Sequence, residues 1–168
     1  MKVIEALDRR LAKVETVLLV VFLGIMVVLA FTQVVLRNAF GTGLIWGDTL
    51  VRHMVLWAGF IGGALAAFEG RHISMDALTK FLSPRVRTAA EVLTNLFATV
   101  VCYYLTAASW TFLTAEMESG GEFILSLPGW VAMVIIPFGY ALIMVHFALK
   151  VVERAVAFLQ PHTEKAGR

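Results

Sequence analysis

Long apolar stretches broken by short polar ones set the pattern of this chain. The first, Val17 to Leu36, runs for 20 residues without a charge. The second enters near Trp46 through a polar turn (Asp48, Thr49, Arg52, His53). It continues as the glycine-rich run Met54 to Phe68 and stops at Glu69-Gly70-Arg71-His72. The third follows Ser83-Pro84, a cap residue and a first-turn proline, and runs from Val86 to about Thr114. The fourth opens at Leu127-Pro128-Gly129-Trp130 and runs to about Val152. A helix rises 1.5 Å per residue, so each stretch is long enough to cross a hydrocarbon core of about 30 Å. The expected fold is an all-α membrane protein, a single domain with four transmembrane helices at about 17–36, 46–68, 86–114 and 129–152.

The connecting segments add detail. Ile4, Leu7 and Leu11 share one helical face among Lys2, Arg9, Arg10 and Lys13, which predicts an amphipathic lead-in at a membrane surface. The first apolar run is longer than the core of a secretory signal and no small-residue cleavage site follows it, so it is read as an uncleaved span. Ile73 to Leu82 is too short to cross. Its apolar face (Ile73, Ala77, Leu78, Phe81, Leu82) predicts a short interfacial amphipathic helix between spans two and three. Pro137, in mid-span, removes a backbone donor and predicts a kink. Residues 155–168 are expected to form a flexible tail.

Composition agrees. Hydrophobic residues make up 60% of the 168, against about 45–50% in soluble domains, and the mean hydropathy is +0.83. The single cysteine, Cys102, excludes an intrachain disulfide. The net charge of +2 says little about partners, and no nucleic acid is expected among them. Charge placement says more. Lys/Arg residues number four before span one, four between spans two and three, and four after span four, out of 14 in all. The connections on the other side carry only Arg37. By the positive-inside rule both termini are cytoplasmic, which puts Trp46, Trp110 and Trp130 near the outer interface, where aromatic belts form.

Few residues are candidates for chemistry. Asp48 and Arg52 stand four apart on one helical face, with Thr49 and His53 beside them. They read as a self-neutralising intrahelical pair, a polar contact to a partner subunit, or a point on a substrate path. Gly59, Gly63 and Ala67 form a stripe of small residues, and Gly62, Ala66 and Gly70 form a second one register over. Such stripes let membrane helices approach closely, either within the chain or across a subunit contact. His53 and His146 raise the reading of a haem- or quinone-binding anchor of a redox complex. Their depths from the outer surface, roughly 10 Å and roughly 25 Å, are too different for both to ligate one iron. No nucleophile–base pair, phosphate-binding glycine loop or metal-ligand cluster is evident, so neither enzymatic activity nor a cofactor is expected. A further reading, a small transporter acting alone, is disfavoured because this sequence lacks the internal repeat and interrupted helices that mark a midplane site.

The ordered set of landmarks resembles one family. Arg37-Asn38 follows span one, and Trp46, Asp48 and Arg52 enter span two. Trp57 and the small-residue run come next, then Gly70-Arg71-His72-Ile73 with Asp76. Leu127-Pro128-Gly129-Trp130 and Ile136-Pro137-Phe138-Gly139 complete the series. Together, over Val35 to about Leu149, they resemble the small membrane subunit (DctQ-type) of tripartite ATP-independent periplasmic (TRAP) transporters. One departure stands out. The family often has two adjacent acids after the tryptophan, and here the positions read Gly47-Asp48, which thins any grip those acids have on a partner.

The resemblance implies a bacterial inner-membrane location and a part in cation-gradient-driven uptake of organic acids, of the C4-dicarboxylate, sialic acid or keto acid class. A periplasmic solute-binding protein would capture the solute and a large membrane transport subunit would carry it. The small subunit would brace the large one. On this reading Trp46, Asp48, Arg52, Gly59, Gly63 and Ala67 are the expected large-subunit contact. Arg37, Glu116, Glu118 and Glu122 are the expected docking surface for the binding protein.

Overall fold

The computed structural model describes residues 2–69, 84–124 and 127–159. The chain is all-α: no strand occurs among these residues, and four helical segments are long and apolar enough to span a membrane. Helix α1 covers Lys2–Phe40, α2 Gly47–Glu69 and α3 Pro84–Ser119. The short α4 (Trp130–Met133) leads into α5 (Ile135–Leu159). Glycines in the left-handed region end two of them, Gly41 (φ 65°) after α1 and Gly120 (φ 67°) after α3, a conformation that side chains with a Cβ rarely adopt.

The interruption between α4 and α5 has a local cause. Pro137 has no N–H, so the Met133 carbonyl lacks the donor that a helix would supply four residues on. Val134 keeps right-handed helical dihedrals (φ −56°, ψ −26°), and its N–H reaches Trp130 O at 3.0 Å. The helical backbone therefore continues through Val134 from α4 into α5, with one hydrogen bond missing a turn before the proline.

Two expectations about the connections need comment. The basic lead-in is not a separate surface segment. It continues without interruption into the first span, as one helix of 39 residues, and it buries Ala12 and Glu15 inside the chain. The interfacial helix at 73–82 lies outside the described residues. At the other terminus α5 continues to Leu159, and 160–168 lie outside the described residues.

The helices pack mainly in the order α1–α2–α5–α3, so α1 and α3 are the edges of a layer. Helix α2 runs parallel to α5. The pairs Trp57–Ala132, Phe60–Tyr140 and Lys150–Ala67 fix that register. The seam of α3 against α5 uses Cys102, Ser109 and Leu113, all buried, at the spacing of one helical face. Leu113 and His146 are the largest completely buried side chains. The layer has two ends. One carries the α1–α2 and α3–α4 connections, the turn end; the other carries the start of α1 and the end of α5.

Candidate functional site

At the turn end, α1 and α2 diverge around a cavity of about 600 Å³. Arg37 enters it from α1, and Asp48 and Arg52 enter it from the first turns of α2. Arg52 is not neutralised by Asp48. Its Nε–H donates to the Asp48 main-chain oxygen at 3.3 Å, one turn back, and no ion pair joins the two side chains among the described residues. Two exposed guanidinium groups and one exposed carboxylate therefore face a cavity whose other walls are largely apolar, including Ala30, Val34 and Val51. Trp46, half-buried, precedes α2, and its carbonyl accepts from Leu50 N–H at 3.0 Å.

The departure Gly47-Asp48 has a physical reason. Gly47 is buried, and a Cβ there would overlap Gln33 Nε2 of α1. That amide donates to Leu44 O at 3.2 Å and ties the α1–α2 turn to α1. A second acid at 47 would have to displace Gln33.

The two small-residue stripes of α2 do not keep their membership: Gly59 of the first is open like Gly62 and Ala66 of the second, and Gly70 lies outside the described residues. Gly63 and Ala67 are taken up inside the chain. A Cβ on Gly63 would sit 3.5 Å from Ile143 Cδ1 of α5, and Ala67 is buried. By contrast, Gly59 and Gly62 have nothing within 4 Å of an added Cβ, and Ala66 is exposed. The open, flat face of α2 is therefore Gly59–Gly62–Ala66, at i, i+3, i+7.

Glu116, Glu118 and Glu122 lie at the end of α3 and in the connection to α4, and none of them lines the cavity that holds Arg37. That connection is folded. Gly129 N–H donates to Gly121 O at 2.6 Å and Phe123 N–H to Leu127 O at 2.7 Å, closing a bridge between Glu122 and Pro128. Phe123 packs edge-on to His53, with ring centroids 4.4 Å apart, so the α3–α4 connection rests on the first turns of α2. Glu116 is half-buried beneath it, whereas Glu118 and Glu122 are exposed. The expected docking residues are thus in two places: Arg37 with the α2 charges, and the three acids on the far connection.

The histidines are not presented as a pair. His53 Nδ1–H donates to Thr49 O at 2.8 Å. Both ring nitrogens of His146 are engaged with carboxylates, Asp8 and Glu15. These partners are 138 and 131 residues away in sequence, and sequence reasoning did not find them. The available signal is two acids seven apart, Asp8 and Glu15, flanking the basic residues Arg9, Arg10 and Lys13. Trp57 was also undervalued. Its indole N–H donates to Ala132 O at 2.9 Å and its ring stacks on Phe22 at 5.5 Å, which joins α1, α2 and α4.

These features define a small polytopic helical membrane protein with an open small-residue face and a charged rim. Residues 26–157 match the family described as tripartite ATP-independent periplasmic transporters, DctQ component, and the chain belongs to that family. Among similar proteins is one of Haemophilus influenzae, provisionally named as a TRAP transporter small permease protein. It is 30% identical over 98 residues, which cover 58% of this chain and 61% of that relative. The ectoine TRAP transporter small permease protein TeaB of Halomonas elongata is 25% identical over 139 residues, covering 82% of this chain and 72% of that one.

Proposed function

We propose that this chain braces the large membrane subunit of a TRAP transporter through the open face of α2, and that its turn end helps to dock a periplasmic solute-binding protein. The carrying observation is that, among the described residues, nothing lies within 4 Å of a Cβ added at Gly59 or Gly62 and Ala66 beside them is exposed, which leaves a face of small residues uncovered. In lipid there is little hydrophobic drive between helices, so close backbone approach is the main source of affinity. Gly63 and Ala67, already packed against the chain's own helices, support that face from behind. Trp46, Asp48 and Arg52 extend the contact toward the turn end. The family match supports a part in a cation-gradient-driven importer of the bacterial inner membrane, and the placement of Lys/Arg supports cytoplasmic termini. The Halomonas relative, named for ectoine, fits the theme of small organic solutes, and an organic acid is the proposed class here.

Co-purification of the two membrane subunits in mild detergent tests this reading. Gly62→Leu is expected to lower recovery of the large subunit by about tenfold, the effect of losing about 1.4 kcal/mol of packing. The chain itself should stay folded, because open space surrounds that Cβ. Undiminished recovery with Gly62→Leu and with Gly59→Leu would move the interface off α2. For docking, charge reversal at Arg37 and at Glu118 should each weaken solute-dependent capture of the binding protein; capture insensitive to both would remove the turn end from that role.

A further inference from the structure

The scaffold role leaves unexplained a group of ionisable side chains at the end that carries the start of α1 and the end of α5. His146 on α5 is completely buried, at 0% exposure. Its Nδ1 lies 2.5 Å from Asp8 Oδ1 and its Nε2 lies 2.9 Å from Glu15 Oε1, both acids coming from α1. Glu15 is 3% exposed, and its second oxygen, Oε2, has no hydrogen-bond partner among the described residues. One turn further along α5, Lys150 Nζ donates to the Ala67 main-chain oxygen of α2 at 2.5 Å. The Phe68 ring lies 5.8 Å from the imidazole. The other charged groups near this end include Arg9, Arg10 and Lys13 on α1, all exposed, Glu153 and Arg154 on α5, Glu69 on α2, and Arg87 and Glu91 on α3. Glu91 takes Arg154 at 3.3 Å and Arg87 at 3.1 Å.

The count of protons follows from the geometry. An ionised carboxylate only accepts hydrogen bonds. Two carboxylates on opposite nitrogens of one ring need two hydrogens, and a neutral imidazole supplies one. One further proton must reside in the group, held by the ring as imidazolium. With it, the two acids are matched by the imidazolium and the Lys150 ammonium. Without it, a ring lone pair faces a carboxylate oxygen and the buried group carries an unbalanced negative charge, which is strongly unfavourable away from water. The two acids approach the ring from opposite sides and do not converge on a point, so the arrangement suits a proton and not a metal ion.

The geometry points to a buried proton-binding site formed by Asp8, Glu15 and His146, a clasp that fastens the first third of α1 to α5 and stays closed only while the proton is bound. Helix α1 packs mainly on α2 and meets α5 in few other places, so the clasp is the main tie between α1 and α5. The closed state binds one more proton than the open state. Closure is therefore favoured in acid and lost as pH rises.

Hydrogen exchange of the full chain in lipid nanodiscs tests this, read over the α1 amides from Asp8 to Thr16 between about pH 6 and about pH 10 and corrected for intrinsic exchange. In the unaltered chain protection should fall by about tenfold or more across that range, while α3 amides stay constant. Glu15→Gln is the discriminating variant. Its amide N–H can donate to Nε2 of a neutral ring whose Nδ1–H still serves Asp8, so both links form without the extra proton. Protection in this variant should be high and independent of pH. Glu15→Ala should be unprotected at every pH. A flat, protected profile in the unaltered chain would overturn the proposal, and so would Glu15→Gln losing protection in parallel with it. Neither reading requires Glu15→Ala to fold, and neither depends on the transporter partner.

Discussion

Two buried glycines show how differently the same substitution should act at the scale of one residue. At Gly139, a Cβ would come within 2.6 Å of the Cβ and Cγ of Phe60 on α2. The Phe60 Cβ is anchored to its backbone and cannot swing away, so the helices themselves must separate. Gly139→Ala should destabilise the chain by about 1–3 kcal/mol, read from unfolding in mixed micelles. Adding Phe60→Ala should recover little, since the offending Cβ remains. At Gly47, the atom in the way is the terminal amide of Gln33, which can rotate aside. Gly47→Ala should cost only about 0.5–1.5 kcal/mol, the net worth of the lost Gln33–Leu44 hydrogen bond. Equal costs at the two sites would contradict the distinction between a fixed and a yielding neighbour.

At the scale of elements, the hydropathy pattern located every span, because the need to satisfy backbone groups in lipid forces long apolar helices. The observed α2 matches its expected bounds within a residue, and α3 begins at the predicted proline. The lead-in was harder to read. Its basic residues dominate its pattern, whereas the residues that tie it to the rest, Asp8, Ala12 and Glu15, form a narrow stripe whose partner lies far along the chain. Periodicity shows which face is apolar and not which helix will meet it. The same holds for the small residues of α2, which look equivalent in sequence and differ only once α5 is placed against Gly63 and Ala67 and not against Gly59. The tie between α2 and α4 can be measured. Trp57→Phe keeps the ring stacked on Phe22 but removes the donor to Ala132 O. The expected loss is about 0.6–1 kcal/mol, typical of an interhelical hydrogen bond in a membrane, with the largest rise in amide exchange at the α4–α5 junction, where Pro137 already leaves a carbonyl unserved.

At the scale of the whole molecule, a layer in the order α1–α2–α5–α3 leaves far more apolar surface uncovered than a closed bundle of the same helices. Much of it lies on the two edges. On α3, Leu93, Phe97 and Tyr104 are all exposed and share a face turned away from the seam of Cys102, Ser109 and Leu113. Such bulky side chains suit fluid lipid, while the flat face of α2 suits a second helix, since only small residues admit another backbone. The open face lies on an interior helix of the layer, so a partner seated there must cover a broad side and not merely extend an edge. A photo-crosslinking residue at Ala66 should then capture the large subunit in the assembled transporter, whereas one at Phe97 should give lipid adducts. Capture from both positions would mean that the partner wraps the layer. Capture from Phe97 alone would place the interface at the α3 edge and leave the small residues of α2 to some other contact.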